Sequence, residues 1–418
     1  MEVSYNLRYK KSNFSNKLLI DKEGEVIIYS KGFRLKGKGA ADKGELINFS
    51  EIKEFYYRDE EIIFVTFNKE KYVLCDSGSM FNNLLVDIYK ARNEFLVDAL
   101  FMKGGKLKAE FEGEFQRLSK FAKLINKGKA KFKLYEKGIV IVPETQDAFS
   151  LHYDFVNFHE FDEMEYSLKI VMDDGVNVFF SKLGNDFEFF QERLNELLGG
   201  MYETLVNETF REAFGYFNAV TLLKLAYKMR GGKGVSLKDI KKMDADLAKE
   251  VEEFIFKDEI AKEKLSYLAG MTDEYSTFYG IAKDKTVEGS FIKWVMYAIP
   301  AKNTVAISIL PRWVEGQGEN TEQHETYFYK IIIEQGDPAQ KVEDKIQEMN
   351  QALLVLNFAK DPCYKDKREL KHSPYQYAIR KLPYLRILRK SFVGKVASAD
   401  VKEWKKQVDE ILPKAILK

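Results

Sequence analysis

The first half of the chain carries one pattern twice. Tyr29-Ser30-Lys31-Gly32-Phe33-Arg34-Leu35 returns as Tyr135-Glu136-Lys137-Gly138-Ile139-Val140-Ile141, an offset of 106 residues (135 − 29). The apolar positions downstream keep nearly that spacing. Ile47, Phe49 and Ile52 correspond to Leu151, Tyr153 and Val156; Ile63, Val65 and Phe67 to Leu168, Ile170 and Met172; Tyr72 and Val73 to Val178 and Phe179. A register held to within two residues across four elements marks a duplicated unit of domain size. One folding solution therefore serves both copies.

Each copy reads as short strands followed by a helix. In the first, Glu25–Tyr29 and Phe33–Lys36 flank Ser30-Lys31-Gly32, which predicts a hairpin with Gly32 supplying a positive φ. Strand patterns follow at Leu46–Phe49, Glu54–Tyr57, Ile62–Phe67 and Lys71–Leu74. Phe81, Leu84, Leu85, Ile88, Tyr89, Phe95 and Leu96 then form one helical stripe. The second copy runs from Lys131 through Ser181 in the same order, and its helix carries Phe187, Phe190, Leu194, Leu197 and Leu198.

Beyond residue 206 the character changes. Helical periodicity dominates 207–275, and strand patterns return at Tyr279–Ala282, Phe291–Ile299, Thr304–Leu310 and Thr326–Ile333. A helix through Val342, Ile346, Met349, Leu353 and Leu356 is expected to close that region. The expected fold class is α+β, in five parts. Residues 1–104 and 105–206 are the two copies and 207–275 a helical insert. Residues 276–360 form a strand-rich domain, a candidate degenerate third copy, and 361–418 a basic C-terminal helical arm.

Lys+Arg 66 against Asp+Glu 65 leaves a net charge of +1, so any nucleic-acid or anionic-membrane role needs a local basic face. Cys75 and Cys363 are the only cysteines; they exclude a disulfide framework and suit a reducing, cytoplasmic setting. Four scattered histidines give no ligand cluster, so no metal and no cofactor is expected. Arg230-Gly231-Gly232-Lys233-Gly234 lacks the Gly-Lys-Ser/Thr opening of a phosphate loop and reads as a helix-breaking turn. No nucleophile has a recognisable catalytic context, and no enzymatic activity is expected.

The paired Tyr-x-Lys-Gly hairpins, Ile47-x-Phe49-Ser50-x-Ile52 with Leu151-x-Tyr153-Asp154-x-Val156, and Phe179-Phe180-Ser181-Lys182-Leu183-Gly184 before the closing helix resemble pleckstrin-homology (PH) domains. The likeness is to the GRAM-like and bacterial PH-like branches and covers the first half of the chain. It departs from signalling PH domains in lacking a Trp in the closing helix, since Trp294, Trp313 and Trp404 lie elsewhere. The resemblance implies bent, partly open barrels in tandem, each closed by its C-terminal helix, and a binding or scaffolding role.

Two basic clusters are candidate sites. Lys31, Arg34, Lys36 and Lys38 on the first hairpin, with Lys43 beyond, could meet phosphates as the corresponding cations of lipid-binding PH domains do. Arg380, Lys381, Arg386, Arg389 and Lys390 in the tail alternate with Tyr375, Tyr377, Tyr384 and Phe392, a pattern suited to an anionic surface or single-stranded nucleic acid. The bland alternative for the tail is an arm in which Leu385, Leu388 and Phe392 share one helical face and pack inward. The leading expectation is a protein or peptide partner held by the PH-like modules. Anionic lipid and nucleic acid are the alternatives.

Overall fold

The computed structural model describes residues 3–39, 42–272, 276–283, 290–310, 324–331, 345, 348–349, 367–370 and 375–417. They form an α+β fold with three antiparallel sheets, divided into two units, Met1–Leu198 and Gly199–Lys418.

The first unit holds both copies. Strands β1 (Val3–Ser12), β2 (Leu18–Tyr29), β3 (Gly32–Gly37), β4 (Glu45–Asn48), β5 (Ile52–Arg58), β6 (Glu61–Thr66) and β7 (Lys71–Cys75) precede helix α1 (Phe81–Ala99). Strands β8 (Leu107–Leu118), β9 (Leu124–Tyr135), β10 (Gly138–Pro143), β11 (Phe149–His152), β12 (Val156–Asp162), β13 (Ser167–Met172) and β14 (Asn177–Ser181) precede α2 (Phe187–Thr204). The strand orders are β4-β3-β2-β1-β7-β6-β5 and β11-β10-β9-β8-β14-β13-β12. Each is a meander whose first strand bonds to its last, leaving β4 and β5, or β11 and β12, as the two edges. The fifth strand of each sheet carries a bulge just after its first residue, at Ile52/Glu54 and Val156/Phe158.

Duplication reaches the backbone dihedrals. Left-handed residues recur 106 apart at Asn16 and Ala122, Glu60 and Tyr166, Lys69 and Gly175, Asp76 and Lys182, and Gly78 and Gly184. Side chains at such positions are disfavoured except where local turn geometry demands them, so their recurrence reflects one shared chain path. Phe33, Phe49, Phe64 and Tyr72 centre the first core, against which α1 buries Leu84, Leu85, Ile88 and Tyr89. Phe132, Phe180 and Phe190 do the same in the second.

Two expectations change here. Neither Gly32 nor Gly138 has a positive φ. Their requirement is space: a Cβ on Gly32 would lie 2.2 Å from Ile47 O, and on Gly138 2.5 Å from Leu151 O. The first strand of each copy is also longer and earlier than the repeat suggested. β1 alternates buried Tyr5, Leu7 and Tyr9 with polar residues, a half-buried strand in a stretch to which the sequence reading assigns no element.

The second unit contains helices α3 (Ala219–Met229), α4 (Leu237–Met243), α5 (Ala245–Ile255) and α6 (Glu259–Ala269). Its sheet runs consecutively through β15 (Val235–Ser236), β16 (Thr277–Lys283), β17 (Phe291–Ile299), β18 (Thr304–Ile309), β19 (Glu325–Lys330) and β20 (Phe392–Ala397). That order differs from the meander of the two copies. Helices α7 (Tyr375–Lys381), α8 (Pro383–Ser391) and α9 (Val401–Leu417) follow, with short helical turns at Leu205–Phe210, Arg211–Ala213 and Lys367–Leu370. β15 comes from the stretch expected to be wholly helical, and β20 from the arm. Phe392, placed on a helical face by periodicity, instead pairs with Tyr329, because the ladder to β19 satisfies its backbone from outside the segment. Arg230-Gly231-Gly232-Lys233-Gly234 is the turn after α3, with Gly231 at φ 63°. The expected closing helix through Val342, Ile346, Leu353 and Leu356, the connection 311–323, and the tail residues Lys365 and Lys371 lie outside the described residues; Met349 is buried.

Candidate functional site

The predicted basic hairpin is charge-compensated. Lys36 sits across from Glu25 and pairs with it at 3.6 Å, Lys38 pairs with Glu23 at 2.6 Å, and Arg34 lies over the Tyr29 ring. Lys31 and Lys43 are exposed. Such pairs at a surface hold little net energy, but their carboxylates offset part of the field an anion would meet. In the tail, α8 turns Leu385 and Leu388 into the core and leaves Arg386 and Lys390 exposed. Arg380 is exposed and Arg389 half-buried, and Lys381 lies over the ring of Tyr377, itself buried rather than free to stack on a base.

A different pair of features stands out, at equivalent places in the two copies. The β1–β2 connection closes on itself: Asn13 N donates to Lys17 O (3.1 Å), Asn16 N to Asn13 O (3.0 Å), and Asn13 Oδ1 accepts from Ser15 N and Lys17 N. The β8–β9 connection repeats this with Ser119 N to Lys123 O (2.8 Å), Ala122 N to Ser119 O (2.8 Å), and Ser119 Oγ accepting from Lys123 N. With the backbone of each turn satisfied internally, its side chains face outward. Phe14 is 76% exposed beside exposed Leu18 and Leu19; Phe121 is 81% exposed beside exposed Leu124 and Ile125.

Each apolar tip stands in a basic, carboxylate-free stretch. Val3–Ile20 contains Arg8, Lys10, Lys11 and Lys17 and no Asp or Glu; Phe115–Tyr135 contains seven cations and no Asp or Glu. Lys17, Lys120, Lys123, Lys127 and Lys129 are exposed and make no ion pair among the described residues, and Lys120 leans over the Phe121 ring at 5.2 Å. An aromatic, two aliphatics and loose ammonium groups on a rigid hairpin form a wedge that is apolar at its point and cationic at its shoulders. The signal in the sequence was the absence of acids between Val3 and Ile20 and between Phe115 and Tyr135, together with Lys17 and Lys123 at the repeat spacing.

No protein-family model matches the chain, and no curated protein matches it in sequence. Among the described residues no helix is long and apolar enough to cross a membrane.

Proposed function

We propose that this chain is a non-enzymatic interaction protein of the cytoplasm, that its first unit is a tandem of PH-like modules, and that it docks on anionic membrane surfaces through its two hairpin tips. One observation carries the reading: both copies raise an exposed Phe with two exposed aliphatics inside a lysine-rich, acid-free stretch. Water is a poor solvent for these side chains, and burying one Phe in the acyl boundary is worth roughly 1.5–3 kcal/mol. Each lysine near an anionic surface adds about 1 kcal/mol, within a Debye length. The meander of each copy, closed by its helix, and the resemblance of the hairpin segments support the PH-like assignment.

Flotation with phosphatidylcholine vesicles, with and without phosphatidylserine, tests this. Binding is expected only to the anionic vesicles and is expected to fall as salt rises. Phe14→Ser and Phe121→Ser should each weaken it about tenfold while leaving the melting temperature unchanged. Absence of binding to anionic vesicles at low salt removes the reading. A second reading, a partner strand added at an unpaired edge, is favoured by exposed Tyr56 and Tyr57 on β5 and Phe158 on β12. A partner retained by the Phe14→Ser/Phe121→Ser variant and lost on Tyr57→Pro would support it.

A further inference from the structure

The two copies differ at one half-buried position beneath their tips. In the first copy Lys11 on β1 lies opposite Ile20 and Tyr72. Its Nζ reaches Glu45 Oε1 at 2.8 Å and Glu70 Oε1 at 3.0 Å, and Tyr72 OH donates to both carboxylates. Burial alone would lower the ammonium's pKa, but Glu45, Tyr72 and Glu70 outweigh it and hold it above the ordinary lysine value. This cation is fully neutralised.

The strand registers identify its counterpart. Arg117 on β8 lies opposite Asn126 and Val178, as Lys11 lies opposite Ile20 and Tyr72. Phe149, across from Ile141, takes the place of Glu45, which lies across from Leu35. Val176, whose carbonyl accepts from Met172 N, takes the place of Glu70, whose carbonyl accepts from Thr66 N. The cage of two carboxylates and a phenol has become Phe149, Val176 and Val178. A cation remains and its counter-charges are gone.

The guanidinium of Arg117 stacks over the Phe149 ring at 4.9 Å, and its Nε is buried with no hydrogen-bond partner among the described residues. Asn126 Oδ1, from the residue directly across the ladder, is likewise buried without a partner. Turning that amide over presents Nδ2 as a donor beside the guanidinium. The carboxylate whose charge reaches Arg117 is Asp174, which is exposed and already accepts from Val176 N at 3.0 Å. Desolvation wins over it and pulls the guanidinium below its ordinary range. A half-buried, unpaired guanidinium is costly to fold around unless an anion from outside completes it.

We propose that Arg117, with Asn126, forms a binding site for a phosphate-class anion in the second copy alone, the equivalent place in the first copy being filled by the chain's own carboxylates. Planar guanidinium and tetrahedral phosphate match through paired N–H donors, and the Phe149 face keeps the fork oriented. The anion is either a free phosphate or the phosphomonoester of a lipid headgroup. The lipid arm rests on the membrane reading above; the site itself does not.

The test uses the full chain, with inorganic phosphate in calorimetry and vesicles carrying phosphatidic acid or phosphatidylserine at matched charge. Wild type should bind phosphate, and Arg117→Ala should weaken it about tenfold or more. Val176→Glu, which returns the carboxylate of the first copy, should do the same with an unchanged or higher melting temperature. A preference for phosphatidic acid lost in Arg117→Ala identifies the lipid source. Phosphate binding without vesicle binding supports the site with a soluble ligand and removes only the membrane reading. Vesicle binding with neither phosphate affinity nor a phosphatidic acid preference overturns the site and leaves the membrane reading standing. Wild-type phosphate affinity in Arg117→Ala also overturns it.

Discussion

Asn93 joins the two copies, and its replacement gives a sharp test of how they are held. From the buried flank of α1, Asn93 Nδ2 donates to Pro143 O (2.9 Å) and Gln146 O (3.0 Å), and its Oδ1 accepts from Ala148 N (2.8 Å). Beside it the fully buried Arg92 pairs with Asp147 through two hydrogen bonds at 2.6 and 2.8 Å. The β10–β11 connection of the second copy is thus clasped by the helix of the first. Asn93→Ala removes three hydrogen bonds worth about 1 kcal/mol each and leaves the Ala148 N–H without its acceptor, for a total near 3 kcal/mol. In a unit of this size 1 kcal/mol shifts Tm by roughly 2–4 °C, so a loss of about 6–12 °C is expected by calorimetry. Hydrogen exchange should show the Ala148 amide losing protection before the strands of either sheet. Asn93→Asp keeps the acceptor for Ala148 but sets a carboxylate against two carbonyls. Its folded pKa must rise above the unfolded value, so relative to wild type this variant should regain stability as pH falls. A Tm within 1 °C of wild type for Asn93→Ala, with unchanged Ala148 protection, would refute the clasp.

Gly32→Ala and Gly138→Ala should each cost about 1–3 kcal/mol in chemical denaturation, because the added methyl meets a carbonyl oxygen of the neighbouring strand; neutral outcomes would remove the close approach. Lys293 on β17 donates to Phe254 O, and burial, aided by nearby Lys257, lowers its pKa to about 8. The unfolded chain then binds more protons between pH 8 and about 10.4, so this group's contribution to stability rises with pH across that window. Wild type should gain on the order of 2 kcal/mol from pH 8 to 10 relative to Lys293→Met in urea titrations, and parallel curves would contradict it. Lys11→Met should destabilise the first unit by about 1–2 kcal/mol by stranding Glu45 and Glu70. Arg117→Met should be neutral or stabilising, since it removes a buried cation without a partner. Equal losses in the two variants, read as urea midpoints, would show that the copies do not differ there.

By itself the sequence determined the duplication, the succession of strands after the first in each copy, and the closing helices; the first strand, β1 or β8, and its place in the middle of the sheet it did not. The features it determined depend on alternation, helical spacing and turn residues, all of them interactions between near neighbours along the chain. It also displayed the acid-free stretches around Phe14 and Phe121, although nothing local says that those rings face water. Only the tertiary structure decided the rest. Gly32 is needed because Ile47 O crosses above it, Phe392 leaves its helical stripe because β19 offers a ladder, and Lys36 and Lys38 are spent on Glu25 and Glu23 across a strand. Arg117 keeps its charge bare because Phe149 and Val176, 32 and 59 residues on (149 − 117; 176 − 117), stand where the first copy has carboxylates. Such facts belong to pairs of residues far apart in the chain, and a pattern read along one dimension holds no record of which of them will meet.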